Sequence, residues 1–463
     1  MDSIQQTSRV RHPSFRGRIG TARADITPPV GIYARNWGAA EHDLAESIHR
    51  PLTLTALTLQ PEEDGESLVL INADAGWWRS LPVFQQFQTR LLERIQLPAS
   101  AVVFALTHTH SAPPLTEGDS SLPGGEALGD YLKNLLEATV AVVRAARADA
   151  RPALLQWHIG HCSLAAVRDL PDPDPDSDRI LCGFNPDLEA DTTLWVGRVT
   201  DDAGAVRAVL ANYACHPTTL AWENRAISPD YVGALRELVE SACGGAPLLF
   251  LQGASGDLAP RYQYVGDTAV ADRHGRQLGF AVLQTLQDMS PPGNELYYDR
   301  AVESGAPLAV WRYREAATTG TLRGSRQTVD LPLKNWPTAA QLEQQRSTCE
   351  DRVLEERLRR KRNIRRAIGD GNTYALPFWA WRIGDALLVG SMAESYSALQ
   401  LVLRRRFPDR AVLCLNLVNG SIGYLPPATR YDQNIYQVWQ TPFDRGSLEE
   451  TIDAMTRAIE ALL

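Results

Sequence analysis

Two histidines separated by one residue, in Thr107-His108-Thr109-His110-Ser111, are the residues of this chain whose types and spacing best suit chemistry. They follow the apolar run 101–106, and in extended chain side chains two residues apart point to the same face. The pattern therefore predicts that His108 and His110 share one face at a strand end, where two imidazoles begin a metal site. A hydrogen-bonded pair at the junction of strand and loop explains the segment equally well.

Further polar side chains follow other apolar runs, and ligand sites in open α/β sheets are built at strand ends. His216 in Cys215-His-Pro-Thr218 repeats the placement of His108, although a single histidine there is usually structural. Asp257 follows a glycine-containing turn and could orient a metal ligand from behind. Glu394 could supply an anionic oxygen ligand, and its alternative role is at the first turn of the next helix. Tyr424 lies in a Gly/Pro-rich loop, where tyrosines either pack or point a hydroxyl into a cleft.

Two serines are candidates for a different kind of catalysis, by a serine nucleophile. Ser255 and Ser111 lie in these same strand-end segments, so a serine hydrolase is an alternative. The Ser255 segment reads Gly-x-Ser-Gly-Asp, however, and the nucleophile elbow reads Gly-x-Ser-x-Gly. The pattern favours the metal site over the serine nucleophile.

The elements that must position these side chains are strands and helices, which alternate along the sequence. Continuous apolar runs predict strands covered on both faces, at 52–59, 67–73, 101–106, 153–159, 194–199, 206–213, 247–252, 377–390 and 411–418. Helical patterns lie between them, at 82–95, 126–148, 230–242, 268–288, 338–367, 394–406 and 446–462. Interleaved strands and helices predict an α/β fold with central mixed β-sheet layers flanked by helices.

Composition excludes several classes of protein. The chain has 463 residues and a net charge of -9, which argues against a protein that binds nucleic acid through its phosphates. The basic run 357–366 follows several acidic residues, so we interpret it as a solvated helix with internal ion pairs. The sequence contains no apolar run of the roughly 20 residues that span a membrane, and its N-terminus does not resemble a secretory signal, so the expected location is cytoplasmic. No pattern predicts an oligomeric state.

Seven short motifs in a fixed order carry a family resemblance. The chain resembles the neutral (non-lysosomal) ceramidase family of zinc amidases over about residues 17–440. The motifs are Ala24-Asp-Ile-Thr-Pro-Pro29, Thr107-His-Thr-His-Ser111, Cys215-His-Pro-Thr218, Ser228-Pro-Asp-Tyr-Val-Gly233, Gly256-Asp257, Glu394, and Tyr424 with Tyr436. The resemblance implies a ceramidase-like catalytic domain with a Zn²⁺ ion.

The resemblance also implies roles for individual residues. It makes His108, His216, Glu394 and Tyr424 the zinc ligands. Tyr436 falls where the family places a hydroxyl beside the scissile amide, and Arg168 matches an active-site arginine. His110 is the second active-site histidine. Zinc would activate water, and His110 would carry a proton to the departing amine.

The chain departs from the family in ways that bear on its substrate. Ala259 stands where the family often has a serine, which favours the zinc-water route. We expect a flexible tail at 1–16 and one zinc hydrolase domain at 17–463, with an insertion or lid at 291–367. No C-terminal immunoglobulin-like domain is expected. The predicted substrate is therefore a small-molecule amide, either ceramide-like or a smaller N-acyl amine. Alternatives are amide formation or acyl transfer at the same zinc site, a serine hydrolase using Ser255, and a binding module without turnover.

Overall fold

Strands make up the centre of the protein. The computed structural model describes residues 8–63 and 65–463. In chain order the strands are β1 Arg9–Val10, β2 Ser14–Asp25, β3 Ser47–Ile48, β4 Thr53–Gln60, β5 Leu68–Ala73, β6 Val102–Leu106, β7 Arg151–His161, β8 Ala165–Val167, β9 Asp169–Pro171, β10 Arg179–Cys182, β11 Thr193–Thr200, β12 Val206–Tyr213, β13 Ala226–Ile227, β14 Leu248–Gln252, β15 Leu258–Pro260, β16 Asn294–Glu303, β17 Pro307–Glu315, β18 Leu322–Pro332, β19 Thr373–Ile383, β20 Ala386–Ser391, β21 Glu394–Ser395, β22 Ala411–Leu415, β23 Tyr424–Leu425 and β24 Asn434–Ile435.

The helices flank these strands. They are α1 Leu81–Ile95, α2 Ala127–Ala148, α3 Tyr231–Ala242, α4 Thr268–Gln287, α5 Ala339–Ser347, α6 Arg352–Ile368, α7 Ala398–Arg406, α8 Tyr436–Gln440 and α9 Ser447–Leu462. Among the described residues, no helix combines the length and apolar character needed to cross a bilayer.

Two mixed sheets form the core. An eight-stranded sheet has the order β14-β12-β11-β7-β2-β4-β5-β6, and a four-stranded sheet has the order β18-β19-β20-β22. Both combine antiparallel pairs with parallel ones, such as β5 with β6 and β20 with β22. Every residue of β5 and β6 is buried, as continuous apolar runs covered on both faces require. The predicted α/β class with mixed sheets flanked by helices is confirmed.

The two sheets pack face to face. Their inner faces share one apolar cluster, which includes Leu57, Leu70, Trp379, Trp381 and Leu388. The indole N–H groups of both tryptophans donate to backbone carbonyls of residues 99 and 100 at 2.8 Å, so these large side chains are buried without losing hydrogen bonds. Helices α2, α3 and α4 pack on the outer face of the eight-stranded sheet, and α7 and α9 pack on the outer face of the four-stranded sheet, which gives a helix–sheet–sheet–helix arrangement.

Several element boundaries differ from the sequence-based prediction. The run 377–390 forms two strands, β19 and β20, because Gly384 turns the chain at φ +62°. The predicted helix 338–367 is two helices, and Asp351 caps the second through bonds to the amides of residues 353 and 354. The helix predicted from 394 begins only at Ala398.

The segment 291–330 and the expected N-terminal tail also contain strands. The first forms the β16–β17 hairpin and part of β18, which joins the four-stranded sheet. Residues 1–7 of the expected tail lie outside the described residues, whereas β2 begins at Ser14 and Phe15 is fully buried.

Polar side chains join the ends of strands from the two sheets. The Asn419 carboxamide accepts from the amide of Phe104 and donates to the carbonyl of Val102, both at 2.9 Å. Asn212 donates to carbonyls of Leu251 and Cys414 at 3.0 Å. These bonds hold the ends of β6, β12, β14 and β22 together, and the segments that follow them meet at one place.

Candidate metal centre

The segment after β6 brings two histidines together by a bend in the backbone. The strand ends at Leu106, and His108 has a left-handed backbone with φ +71°. The prediction that extended chain aligns His108 and His110 on one face is therefore wrong in its geometry. The rings nevertheless lie together, with centroids 4.8 Å apart. The bend arises because the amide of Thr107 bonds to the carbonyl of Ala73, the last residue of β5, and the amide of His108 bonds to the carbonyl of Ala75 just after it.

Backbone carbonyls orient two imidazoles and select their tautomers. Nδ1 of His108 donates to the carbonyl of Gly76 at 2.9 Å, and Nδ1 of His216 donates to the carbonyl of Ser255 at 2.7 Å. A carbonyl accepts and cannot donate, so each Nδ1 must carry the proton in the neutral ring. The Nε2 lone pairs of both rings are therefore available as ligands.

Glu394 faces both of these nitrogens. One of its carboxylate oxygens lies 3.1 Å from Nε2 of His216 and 3.4 Å from Nε2 of His108. Burial favours the neutral carboxylic acid, but the two histidines outweigh burial and hold the pKa of Glu394 well below its ordinary value. Burial lowers the pKa of His216 to about 3. The site thus presents a carboxylate at Glu394 and a neutral imidazole at His216. The alternative role of Glu394 at the first turn of the next helix does not hold, because α7 begins four residues later.

The spacing of these three donor atoms suits one shared cation. Lone pairs that face each other at 3.1–3.4 Å repel unless a proton or a metal ion lies between them. Two ligands bound at about 2.0–2.1 Å to one tetrahedral zinc ion lie roughly 3.3 Å apart. Nε2 of His108 is buried, and no hydrogen bond to it is present among the described residues. The donor set therefore fits a metal ion.

His110 lies beside this group. His108, His110 and His216 each offer a ring nitrogen, and these atoms lie within 4.8 Å of one another, so the three histidines could together hold a metal. The His110 ring lies between Trp37 and Trp77, with centroid distances of 5.1 and 4.9 Å. Burial and the neighbouring histidines lower its pKa well below the ordinary value, so the ring is neutral.

Two tyrosines complete the site. Tyr424 follows Gly423 and pairs through its backbone with Glu394, because β21 and β23 form a parallel bridge. Its ring centroid lies 5.6 Å from that of Tyr436. Both rings line the pocket that also contains His108, His110 and Glu394. The family resemblance gave seven residues a role in the active site. The structure brings six of them together.

The seventh residue, Arg168, lies behind the site. Its guanidinium is 5.6 Å from the centroid of the Tyr424 ring, and it donates to the carbonyl of Gly256 at 2.7 Å. Arg168 is 4% exposed and does not line the pocket. This placement allows it to hold Tyr424 in position but not to contact a molecule in the pocket.

The serines and Asp257 have other partners. The Ser255 hydroxyl is fully buried and accepts from the Gln252 carboxamide at 2.6 Å, whereas its own carbonyl orients His216. Ser111 accepts from Asn224 at 3.1 Å. Neither serine lines the pocket. Asp257 accepts from the amide and hydroxyl of Ser397 at 2.7 Å, so it caps the segment before α7 and does not orient a histidine from behind.

The pocket contains residues that the sequence did not single out. Its wall includes Trp77, Arg79, Arg359 and Arg360, and its empty volume is about 1250 Å³, including space open to solvent. The Trp77-Trp78-Arg79 triplet directly after β5 is a signal that could have been used, since β5 is the parallel neighbour of β6. No local signal marks Trp37, which reaches His110 from a distant loop.

The site should be sensitive to any side chain added at Gly256. A Cβ at this position would lie 2.9 Å from the backbone oxygens of Glu394 and Ser395, which cannot move without displacing Glu394. Overpacking of this kind costs about 1–3 kcal/mol. We expect Gly256→Ala to lower both the unfolding temperature and the affinity of the candidate site for added zinc, measured by thermal unfolding and by competition with a chelating dye. In Gly183→Ala the added Cβ meets no atom within 4 Å, so this control should keep both values. Unchanged zinc affinity in Gly256→Ala would contradict the expectation.

Comparison with solved structures identifies the fold. A crystal structure of neutral ceramidase from Pseudomonas aeruginosa aligns with a TM-score of 0.66 and 17% identity, covering 98% of this chain and 75% of that one. A structure of a ceramidase complexed with C2 aligns with a TM-score of 0.64 and 16% identity, covering 98% and 76%. No protein-family model and no curated protein matches the sequence. The chain therefore has a neutral ceramidase-like fold.

Proposed function

We propose that this protein is a zinc-dependent amidohydrolase that cleaves the carboxamide of a small N-acyl amine. One observation carries the proposal: in a buried site, one Glu394 oxygen lies 3.1 Å from Nε2 of His216 and 3.4 Å from Nε2 of His108. The solved structures that share this fold are ceramidases. Their similarity to this chain supports amide hydrolysis. It does not imply that the substrate is ceramide.

We assign the metal to His108, His216, Glu394 and Tyr424. Nitrogen and oxygen donors in a four-ligand set suit zinc. The Glu394 oxygen faces both ring nitrogens, which is the reason for preferring it to His110 as the third ligand. We assign Tyr424 as the fourth ligand because it lines the same pocket as His108 and Glu394 and is the neighbour of Glu394 across a parallel bridge.

The side chains around the metal have separate roles in the proposed reaction. Zinc in this site would lower the pKa of water and polarise the amide carbonyl. Hydrolysis adds a hydroxyl to the carbonyl carbon and a proton to the leaving nitrogen. His110 lies at the pocket wall beside His108 and His216, so it is placed to take the proton from water and deliver it to the nitrogen. The Tyr436 hydroxyl would donate to the carbonyl oxygen as negative charge develops there, and such a donor contributes about 3–4 kcal/mol.

Arg168 acts through Tyr424 in this proposal. Its guanidinium packs on the Tyr424 ring and bonds to the backbone of Gly256, so it is a positioning residue. Ser255 has no part in the reaction, because its hydroxyl is buried against Gln252 and away from the pocket.

Metal analysis and metal removal test the proposal together. We expect about one zinc per chain, and loss of amide hydrolysis after chelation with recovery on adding zinc. Zinc that binds only the folded protein stabilises it by about 2.7 kcal/mol at a hundred times its dissociation constant. Thermal unfolding with and without zinc measures this shift independently of activity. Substrates would range from short N-acyl amines to ceramide. Hydrolysis that is indifferent to the chelator, or a protein that binds no zinc, would overturn the proposal.

A further inference from the structure

Helix α6 forms one wall of the pocket. Glu356, Arg359, Arg360 and Asn363 all line it from this helix. The sequence-based interpretation of this basic run as a solvated helix with internal ion pairs is thus incomplete. The ion pairs exist, because Arg359 and Arg360 both bond to Glu356. The face that carries them nevertheless points into the pocket that contains the histidines.

The arginines at this wall outnumber the carboxylate that binds them. Glu356 is shared by Arg359 and Arg360, and its side chain is only 9% exposed. Arg79, from the loop after β5, donates to the carbonyl of Arg35 and to the Asn36 carboxamide. Among residues 8–63 and 65–463 no carboxylate forms an ion pair with Arg79. Three guanidinium groups therefore share one negative charge.

Burial makes this excess charge costly. It lowers the pKa of Arg79 to about 10, and the positive charges of Arg360 and Arg359 add to the effect. A cationic group in such a place gains from a charge-assisted hydrogen bond to an anion. The other acids of the pocket form no ion pair with these arginines among the described residues. Glu394 faces His108 and His216, and Glu117 and Asp119 are exposed at the rim, where Asp119 accepts from Ser121 and Arg359 only adds to the lowering of its pKa.

The excess charge lies close to the reacting groups. Nη1 of Arg360 is 3.3 Å from the Tyr436 hydroxyl, and its guanidinium is 5.4 Å from the centroid of Trp77. The Trp77 ring in turn contacts His110, with centroids 4.9 Å apart. An anion held by these arginines would therefore lie only a few bonds from an amide bound beside Tyr436.

We propose that Arg359, Arg360 and Arg79 bind a carboxylate of the substrate, so that this enzyme acts on N-acyl amino acids rather than on neutral lipid amides. The proposal rests on the amidohydrolase function argued above. Arginine suits the role because its planar fork of N–H donors matches the two oxygens of a carboxylate. Three arginines and one glutamate would then bind one further negative charge, which brings the wall closer to neutrality.

Two substrates that differ in one charge test the proposal. N-octanoylglycine carries a carboxylate where N-octanoylethanolamine carries a hydroxyl, and both release a free amine that can be measured. For the zinc-loaded enzyme we expect kcat/KM to be at least about tenfold higher for the acylglycine, the ratio that a charge-assisted hydrogen bond supports. Arg359→Gln should raise KM for the acylglycine by about tenfold, change its kcat little, and leave the ethanolamide unaffected.

Two further variants keep the test independent of folding defects. Arg360→Lys retains the charge but loses the planar fork, and it should show a smaller rise in KM for the acylglycine. Arg366→Gln removes an exposed arginine of the same helix that does not line the pocket, so it should behave as wild type. Equal or greater activity on the ethanolamide, or an equal loss on both substrates in Arg359→Gln, would overturn the carboxylate proposal and leave the amidohydrolase proposal standing.

Calorimetry distinguishes the two proposals if no amide is cleaved. Titration of N-octanoylglycine into the zinc-loaded protein should show binding that Arg359→Gln weakens by about tenfold and that N-octanoylethanolamine does not reproduce. That result would uphold the carboxylate site while the absence of turnover contradicts amide hydrolysis. Equal binding of the two compounds, or binding of neither, would overturn the carboxylate site.

Discussion

Replacement of His108 by asparagine is expected to remove zinc from the protein. Its Nε2 lies 3.4 Å from the Glu394 oxygen that also faces His216 at 3.1 Å, so the substitution removes one of the three proposed donors. Because partners that only orient a metal ligand already contribute about 10–100-fold to affinity, loss of a ligand should weaken zinc binding by at least about 100-fold. Amide hydrolysis should disappear with the metal. Asparagine suits this position because it tolerates the left-handed backbone found at residue 108.

Zinc content after dialysis against a competing chelator measures this effect. His161→Asn is the matched control, since His161 is an exposed histidine at the end of β7 and lies outside the pocket. It should retain zinc, activity and unfolding temperature. Wild-type zinc affinity in His108→Asn would exclude His108 as a ligand, and with it the proposed metal set.

Replacement of His110 by alanine is expected to lower kcat without removing the proposed metal ion. The proposed ligand set does not include His110, so the variant should retain about one zinc per chain. General acid–base catalysis by a positioned side chain contributes about 10²–10⁴-fold, and kcat should fall by a factor in this range. Removal of the ring also exposes Trp37 and Trp77 to the pocket, so a modest change in KM is expected as well.

Metal analysis and steady-state kinetics on the same preparation check this prediction. His110→Gln is the companion variant, because it fills more of the space between the two tryptophans. If either variant loses zinc as His108→Asn does, the metal is held by the three histidines, whose nitrogens also lie within 4.8 Å of one another. Retained zinc with undiminished kcat would remove His110 from the reaction.

The sequence predicted the layers of the fold and the strand ends that carry the site. Fully buried strands such as β5 and β6 left continuous apolar runs, and His216 and Glu394 stood out because each follows such a run. The family resemblance then supplied Tyr424 and Tyr436. The boundary between α5 and α6 was missed although its signal was present, since Asp351 is a helix-capping residue type.

Other features depend on contacts that no local pattern encodes. The left-handed backbone of His108 is set by carbonyls of Ala73 and Ala75, so the Thr-His-Thr-His segment alone reads as extended chain. The position of Arg168 behind Tyr424 follows from its bond to the carbonyl of Gly256, 88 residues away in sequence. The orientation of α6 toward the pocket was likewise hidden, because a basic helix beside acidic residues has the composition of a solvated one.

The bonds that join the two sheets also determine when the candidate site can be completed during synthesis of the chain. Asn419 closes the end of β6 across 315 residues of sequence, and Glu394 meets His216 across 178. While the ribosome has made only the first sheet, His108 and His216 exist without the carboxylate that completes their site. Such distant contacts form late in folding because closing long loops carries a large entropic cost. If zinc binds as proposed, a nascent chain halted before residue 394 should fail to retain it, because the proposed Glu394 ligand has not yet been made.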